Sequence, residues 1–386
     1  MKPLSENALR APGSGIRKIM NLALTMEGVH HLEVGEPDFP SPAHVIDAAC
    51  EAARSGYTKY TANAGIPSLR EAIAEKLLRV NGDEVSPERI TVTNGAVSGL
   101  MASIISVAQA GDDVLLPDPG WPNYHLMTQA LGIHSHFYPL PPKSGFLPDP
   151  EELASLITPQ TKAIVVNTPS NPTGAVFPEV IVREIVEVAD RHDLWIISDE
   201  VYEQIIFEGS HASPARFDEA GRVIRAFSFS KTYAMTGWRI GYVVSPPGVT
   251  EVINKLQEAL ISCAGGVNQK AAEAALLGPQ DCVAEMRSTY HRRRDLLVHS
   301  LHESNFLAAV PHGAFYAMLD VSSANQDTYE FARRLLLEEG VAVAPGETFG
   351  PLGRGLVRIA LCAPDEAIKH GVEAIKHKVA SAARLT

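Results

Sequence analysis

The sequence is poor in cysteine. Its four, Cys50, Cys263, Cys282 and Cys362, lie far apart with no Cys-x-x-Cys pair, which suggests neither a zinc site nor a disulfide framework. No stretch approaches the length of a bilayer span, and the N-terminal MKPLSENALRAPGSG lacks the apolar segment of a signal peptide. The expectation is a cytoplasmic protein with free thiols and no membrane partner. Basic charge is also short: 33 Lys and Arg stand against 45 Asp and Glu, a net charge of −12 with histidines neutral. That balance argues against a nucleic-acid partner and leaves room for a small cationic pocket. No Gly-x-Gly-x-x-Gly follows a strand, and neither a Walker A loop nor a His-Glu-x-x-His is present. Gly95-Ala96-Val97-Ser98-Gly99 carries its serine one position too late for a nucleophile elbow. The run Arg292, Arg293, Arg294 reads as a solvated helix face.

What is present describes a folded enzyme-sized chain. The 386 residues exceed what one core usually organises, and 45% apolar with 20% charged residues fits a folded chain. Short apolar runs recur at 90–93, 114–116, 163–167, 194–198, 223–228 and 240–244. Between most of them lie stretches with helical spacing, such as 97–110 and 179–191. In the latter, Val180, Ile181, Ile185, Val188 and Ala189 are expected to share one face. Continuous apolar strands separated by helices predict an α/β fold with a mainly parallel sheet covered on both faces. The C-terminal third, with strands near 315–321, 341–344 and 356–361 and helices at 329–339 and 365–380, predicts a smaller α+β domain. A helical pattern from 250 to about 300 would join the two. The expected division is residues 1–45 as an N-terminal arm and part of the small domain, 46–280 as the large domain, and 281–386 as the remainder of the small one.

Four segments fall just past strand ends, where an open α/β sheet places its ligand. They are Thr168-Pro169-Ser170-Asn171-Pro172-Thr173-Gly174, Asp199-Glu200-Val201-Tyr202, Phe229-Ser230-Lys231-Thr232, and Gly237-Trp238-Arg239. Singly each has a plain structural explanation as a turn, a cap or a surface residue. Together they resemble the fold-type I pyridoxal-phosphate enzymes, in particular the class I/II aminotransferases. The resemblance covers nearly the whole chain, from Leu32-Glu33-Val34-Gly35-Glu36-Pro37-Asp38-Phe39 through Tyr60-Thr61-Ala62-Asn63-Ala64-Gly65 to Val357-Arg358-Ile359.

That resemblance implies a cofactor, pyridoxal 5′-phosphate, and a role for each residue. Lys231 holds the cofactor as a Schiff base and moves a proton on the substrate. Asp199 keeps the pyridine nitrogen protonated, so that the ring acts as an electron sink. Tyr202 and Asn171 hydrogen-bond the phenolic oxygen. The strand-to-helix turn at Asn94, Gly95 and Ala96 offers backbone N–H groups to the phosphate, joined by Ser228, Arg239 and, from a neighbouring subunit, Tyr60. Trp121 stacks on the ring. Arg358 forks onto the substrate α-carboxylate, with Asn171 and the Gly35 backbone assisting and Ile16 and Phe315 as weaker pocket-wall candidates. No metal is implied. A homodimer is, because Tyr60 would complete the other subunit's site.

The implied activity is ping-pong transfer of an amino group from an L-amino acid to a 2-oxo acid. The same scaffold hosts β-elimination, and some transcription regulators use it as a non-catalytic effector domain. The latter need a basic DNA-binding domain, for which the residues before Leu32 leave no room. Many relatives carry hydroxyls where this chain reads Ser262-Cys263-Ala264-Gly265-Gly266, which leaves that loop's role open. No basic residue can be assigned to the distal end of the substrate, so aspartate and glutamate are neither favoured nor excluded as donors.

Overall fold

A computed structural model describes residues 2–10, 13–302, 304, 306–325 and 327–383. Seven strands form one sheet in the order Ile90–Thr93, Gly241–Val244, Val223–Ser228, Trp195–Asp199, Thr161–Asn167, Asp113–Asp118, His134–Pro139. All neighbours are parallel except Gly241–Val244, which runs antiparallel to both of its partners. The central strands alternate between two cores. Ala163, Val165, Ile197, Ile224 and Ala226 face a layer containing Leu100 and Ile104 from helix Gly95–Val107. Ile164, Val166, Ile196 and Val223 face Val182, Ile185 and Val186 from helix Glu179–Arg191. Burying one such side chain contributes about 1.5–3 kcal/mol. The whole range of strand propensity is only about 1 kcal/mol, so two-sided burial decides why these runs become central strands.

A second unit carries a three-stranded antiparallel sheet, Ala344–Pro345, Leu356–Ala360 and Tyr316–Asp320. Its core draws Ile19, Ala23 and Leu32 from the N-terminal part together with residues of 286–379, and takes in Tyr202, Ile205 and Ala234 from the large-sheet side. His30–His31 pairs in parallel with Val341–Ala342. The N-terminal segment is thereby threaded back onto the C-terminal part.

Several expectations need correction. The helical pattern from 250 to 300 is three helices, Pro247–Ile261, Gly266–Leu277 and Asp281–Ser300. Ser262 breaks the first with a left-handed φ of 62°, and Gly278-Pro279 ends the second. Val180 is 58% exposed, and the buried face of its helix is Val182, Ile185, Val186, Val188 and Ala189. Arg293 and Arg294 are not a solvated face: both are buried, Arg293 on Asp38 and Asp365, Arg294 on Glu208 and the Pro311 carbonyl. The edge strand His134–Pro139 escaped notice because it reads HSHFYP and is only half buried, with no apolar run to mark it.

Candidate functional site

The parallel strands end on one side of the sheet. There they meet the second unit around a cavity of about 710 Å³. Its lining includes Ile16, Gly35, Ala96, Trp121, Asn171, Asp199, Tyr202, Ser228, Lys231, Arg239 and Arg358. Eleven of the fifteen residues singled out in the sequence are therefore brought together. Gly95 lies just behind the wall: a Cβ there would come within 2.5 Å of Arg239 Nη2, and its φ of +74° also favours glycine. Phe315 is fully buried behind Tyr202 and Tyr316 rather than in the wall. The Asn94 side chain is exposed and caps nothing. Tyr60 is 89% exposed, outside the lining.

Lys231 stands on the short helix Phe229–Thr232, whose start is fixed by Ser230 N–H donating to Ser228 Oγ at 3.1 Å. Its Nζ donates to the Gly35 carbonyl at 2.7 Å and lies 5.7 Å from the Phe315 ring. Burial pulls its ammonium down from 10.5 to about 8; Glu36 opposes the shift, and Arg358 and Arg239 add to it. A neutral amine is therefore accessible near physiological pH. Gly35 permits this contact because a Cβ there would collide with the Tyr316 hydroxyl.

Asp199 closes the buried strand Trp195–Asp199. Its Oδ2 accepts from the Tyr124 hydroxyl at 2.5 Å, and Oδ1 accepts weakly from Val201 N–H at 3.3 Å. Burial pushes its carboxyl up to about 6, against the downward effect of those two hydrogen bonds. Burial also holds the Tyr124 hydroxyl well above its ordinary range, so Tyr124 stays a donor.

Arg358, from the small sheet, is buried between the rings of Tyr316 and Phe349, 4.3 and 4.8 Å from their centroids. Nη1 donates to Asn171 Oδ1 at 3.0 Å and Nη2 to the Glu33 carbonyl, while buried Nε has no partner. Desolvation lowers its pKa, so an anion arriving there would relieve a buried positive charge. With its Oδ1 used on Arg358, Asn171 keeps Nδ2 as a donor. Tyr202 and Tyr316 share a hydroxyl contact of 2.9 Å, and burial raises the Tyr202 pKa well above its ordinary value.

Sequence reasoning missed Tyr124, Tyr316 and Asn167. Asn167 ties the strand ends together: Nδ2 donates to the Asp199 carbonyl at 3.1 Å and Oδ1 accepts from Asn171 N–H at 2.9 Å. For Tyr316 a signal existed, since strand neighbours point to opposite faces. A pocket wall from this strand admits Tyr316 or Phe315, not both. The loop at Ser262-Gly266 packs on the segment bearing Tyr60: Cys263 Sγ accepts from Thr61 N–H at 3.4 Å, and a Cβ on Gly266 would lie 2.7 Å from the Tyr57 carbonyl.

Known proteins share this arrangement. The family described as aminotransferase class I and II matches residues 27–375. A Thermus aquaticus protein named probable aspartate/prephenate aminotransferase is 39% identical over 378 residues, 97% of this chain and 96% of the relative. The aspartate/prephenate aminotransferase of Thermus thermophilus is 38% identical over 97% of this chain and 95% of the relative. A solved single mutant of Thermus thermophilus aspartate aminotransferase superposes with a TM-score of 0.93 at 37% identity, over 98% of this chain and 100% of that one. The architecture is thus that of a fold-type I pyridoxal-phosphate enzyme. The chain belongs to the class I and II aminotransferases, and its activity is amino-group transfer between amino acids and 2-oxo acids. Membership implies pyridoxal phosphate as cofactor. Among the described residues no helix is long and apolar enough to cross a membrane.

Proposed function

We propose that this cavity binds pyridoxal 5′-phosphate on Lys231 and runs both half-reactions of a transamination there. The observation that carries the reading is the joint presence of an amine brought down to about 8 and a buried carboxylate, Asp199, with a lightly used oxygen in the same cavity. The donor set fits the cofactor at each end. A dianionic phosphate matches the unpaired first N–H groups of helix Gly95–Val107, the Ser228 hydroxyl and the Arg239 guanidinium. Asp199 suits a protonated ring nitrogen, whose positive charge would offset the cost of its burial. Tyr202 and Asn171 Nδ2 are donors suited to a phenolate oxygen, and Trp121 offers a flat face.

When bound, the cofactor supplies an electron sink and a carrier for the amino group. The rest falls to the protein. Arg358 grips the α-carboxylate and fixes the orientation of the α-C–H. Lys231, once its amine is free, takes the α-proton and returns one at the carbon receiving it. Tyr124 holds Asp199 in place by its hydrogen bond. The second unit, carrying Arg358 and Tyr316, closes the cavity on the substrate side and limits water.

We further infer a division of labour between residues 46–280 and a small domain made from 1–45 and 281–386, since Ile19, Ala23 and Leu32 pack with residues of 286–379. The working form is a cytoplasmic homodimer in which exposed Tyr60 reaches the partner's phosphate cradle. Supporting this are the exposure of Tyr57 and Tyr60, that of Val97 in the cavity lining, and four cysteines that are all free. The test is amino transfer by the purified protein across the twenty amino acids with 2-oxoglutarate and with pyruvate. Absence of transfer from every donor would overturn the reading.

A further inference from the structure

Strand Asp113–Asp118 of the seven-stranded sheet ends on a carboxylate that is buried and almost unaccompanied. Asp118 is 5% exposed and stands outside the cavity lining. Among the described residues no cationic side chain lies within ion-pair distance of it. One donor serves it, Leu352 N–H, at 3.1 Å from Oδ1 and 3.2 Å from Oδ2. Burial pushes the carboxyl up to about 6, against the pull of that single hydrogen bond. A buried carboxylate kept for folding alone is expected beside a cation or among several donors. This one costs stability where it stands.

Leu352 belongs to the second unit, in the loop between strands Ala344–Pro345 and Leu356–Ala360. Two tight turns make up that loop, Gly346–Phe349 and Pro351–Gly353, and they close on each other: a Cβ on Gly346 would come within 2.2 Å of the Gly353 carbonyl. Gly350 joins the turns at a φ of +128° and lies so near Asp118 that a Cβ there would stand 2.2 Å from Oδ1. A second bond runs beside the first, from Gly120 N–H to the Phe349 carbonyl at 2.8 Å. The loop is thus pinned at two points to segment 118–120, and the next residue of that segment is Trp121 of the cavity wall. Phe349 carries the loop's position inward, because its buried ring packs 4.8 Å from the Arg358 guanidinium.

We propose that Asp118 is a positioning residue: by holding Leu352 it seats the 346–353 loop on the seven-stranded sheet, and through the Phe349 ring it fixes where Arg358 stands relative to Trp121. The proposal rests on Arg358 taking the substrate α-carboxylate. Gly120 makes its contact through the backbone and keeps it whatever stands at 118, so loss of the Asp118 carboxylate loosens the loop without detaching it. The Arg358 fork is then less well held, and both amino acid and oxo acid bind more weakly, since both carry the carboxylate it grips. That carboxylate takes no part in bond making, so the loss falls on KM more than on kcat.

The test compares pyridoxal-phosphate-loaded wild type, Asp118→Ala, Asp118→Asn, Arg358→Lys and the double variant Asp118→Ala with Arg358→Lys. The substrates are the best donor among the twenty amino acids, with 2-oxoglutarate or pyruvate as acceptor. Asp118→Ala should raise KM for donor and acceptor about tenfold, the lower end of what a hydrogen bond to a charged group supplies, with kcat within about threefold. Asp118→Asn keeps an oxygen acceptor for Leu352 N–H and should hold KM within about threefold of wild type. In the cofactor-free protein, amide hydrogen exchange over 346–353 should quicken in Asp118→Ala and not in Asp118→Asn. In the Arg358→Lys background, Asp118→Ala should add less than about twofold, because the two act on one grip. A lower melting temperature with unchanged KM, unchanged exchange in Asp118→Ala, no rescue by asparagine, or fully additive losses in the double variant would each overturn the proposal. The premise has a separate signature: a wild-type KM in Arg358→Lys alone would mean that the α-carboxylate is held elsewhere.

Discussion

Asp199 and Glu200 are adjacent in sequence, both buried, and electrostatically opposite. Asp199 faces the cavity with one strong side-chain partner, Tyr124, and burial pushes it up to about 6. Glu200 faces away. It accepts from Ser198 Oγ at 3.0 Å and Ser213 Oγ at 2.7 Å, and His211 Nε2 lies 2.8 Å from its Oε2. Burial would raise Glu200 too, but His211, Arg225 and Ser213 outweigh it and hold the carboxyl below the ordinary range. Nearby, Lys76 and Asn81 pair with Glu203, and Arg225 with Asp83 at 2.5 Å. The supporting carboxylates each have a cationic or histidine partner within the protein, whereas the working charge is left short of partners and completed by what binds.

That contrast predicts opposite mutational signatures. The largest effect belongs to Lys231: Lys231→Ala should lose activity by at least the roughly 10²–10⁴-fold that a positioned proton-transfer group supplies. The protein should remain folded by circular dichroism.

Next, Asp199→Asn should cut turnover by about 10²-fold or more while leaving the cofactor-free protein as stable as wild type, or more so, at pH 7. The sign follows from linkage. A carboxyl raised to about 6 binds its proton more tightly folded than unfolded, so between its ordinary value and 6 stability falls as pH rises. The ionised form therefore costs stability at pH 7, and asparagine removes that cost. A less stable but fully active variant would contradict the assignment.

Glu200→Gln should do the reverse. Its carboxyl is lowered on folding, so it contributes stability above the ordinary carboxylate range, lost as pH falls through its folded value. The variant should lose about 1–3 kcal/mol at pH 7 and keep turnover within a few-fold at a temperature where it is folded. Thermal melts across pH 3–8 should show the gap to wild type closing toward acid.

A smaller effect is expected from Tyr124→Phe. Removing a hydrogen bond that lowers the Asp199 carboxyl should move its titration above 6 and reduce kcat about three- to tenfold, in line with a bond worth about 1 kcal/mol. An unmoved Asp199 titration in the cofactor-free variant would deny Tyr124 this role.

Much of this was legible in the sequence where local pattern and chemistry coincide. The strands 90–93 and 223–228 and the helix 179–191 stand at the expected bounds, because two-sided burial leaves a continuous apolar signature. Lys231, Asp199 and Arg239 stand out only together, through the resemblance that their segments jointly carry. The residues that remained hidden are defined by what lies across the cavity. Tyr124 acquires meaning only when its helix sets it against Asp199. Arg293, in a run of three arginines, reads as solvated until Asp38, 255 positions away, arrives beside it.

The most direct test of the central claim is to load the protein with pyridoxal phosphate, reduce it with borohydride and map the modified peptide. The account predicts one fixed cofactor per chain, on Lys231, captured faster as pH rises toward 8 and levelling above it, because burial lowers the pKa of that amine to about 8. Modification of a different lysine, with Lys231 left free, would contradict it.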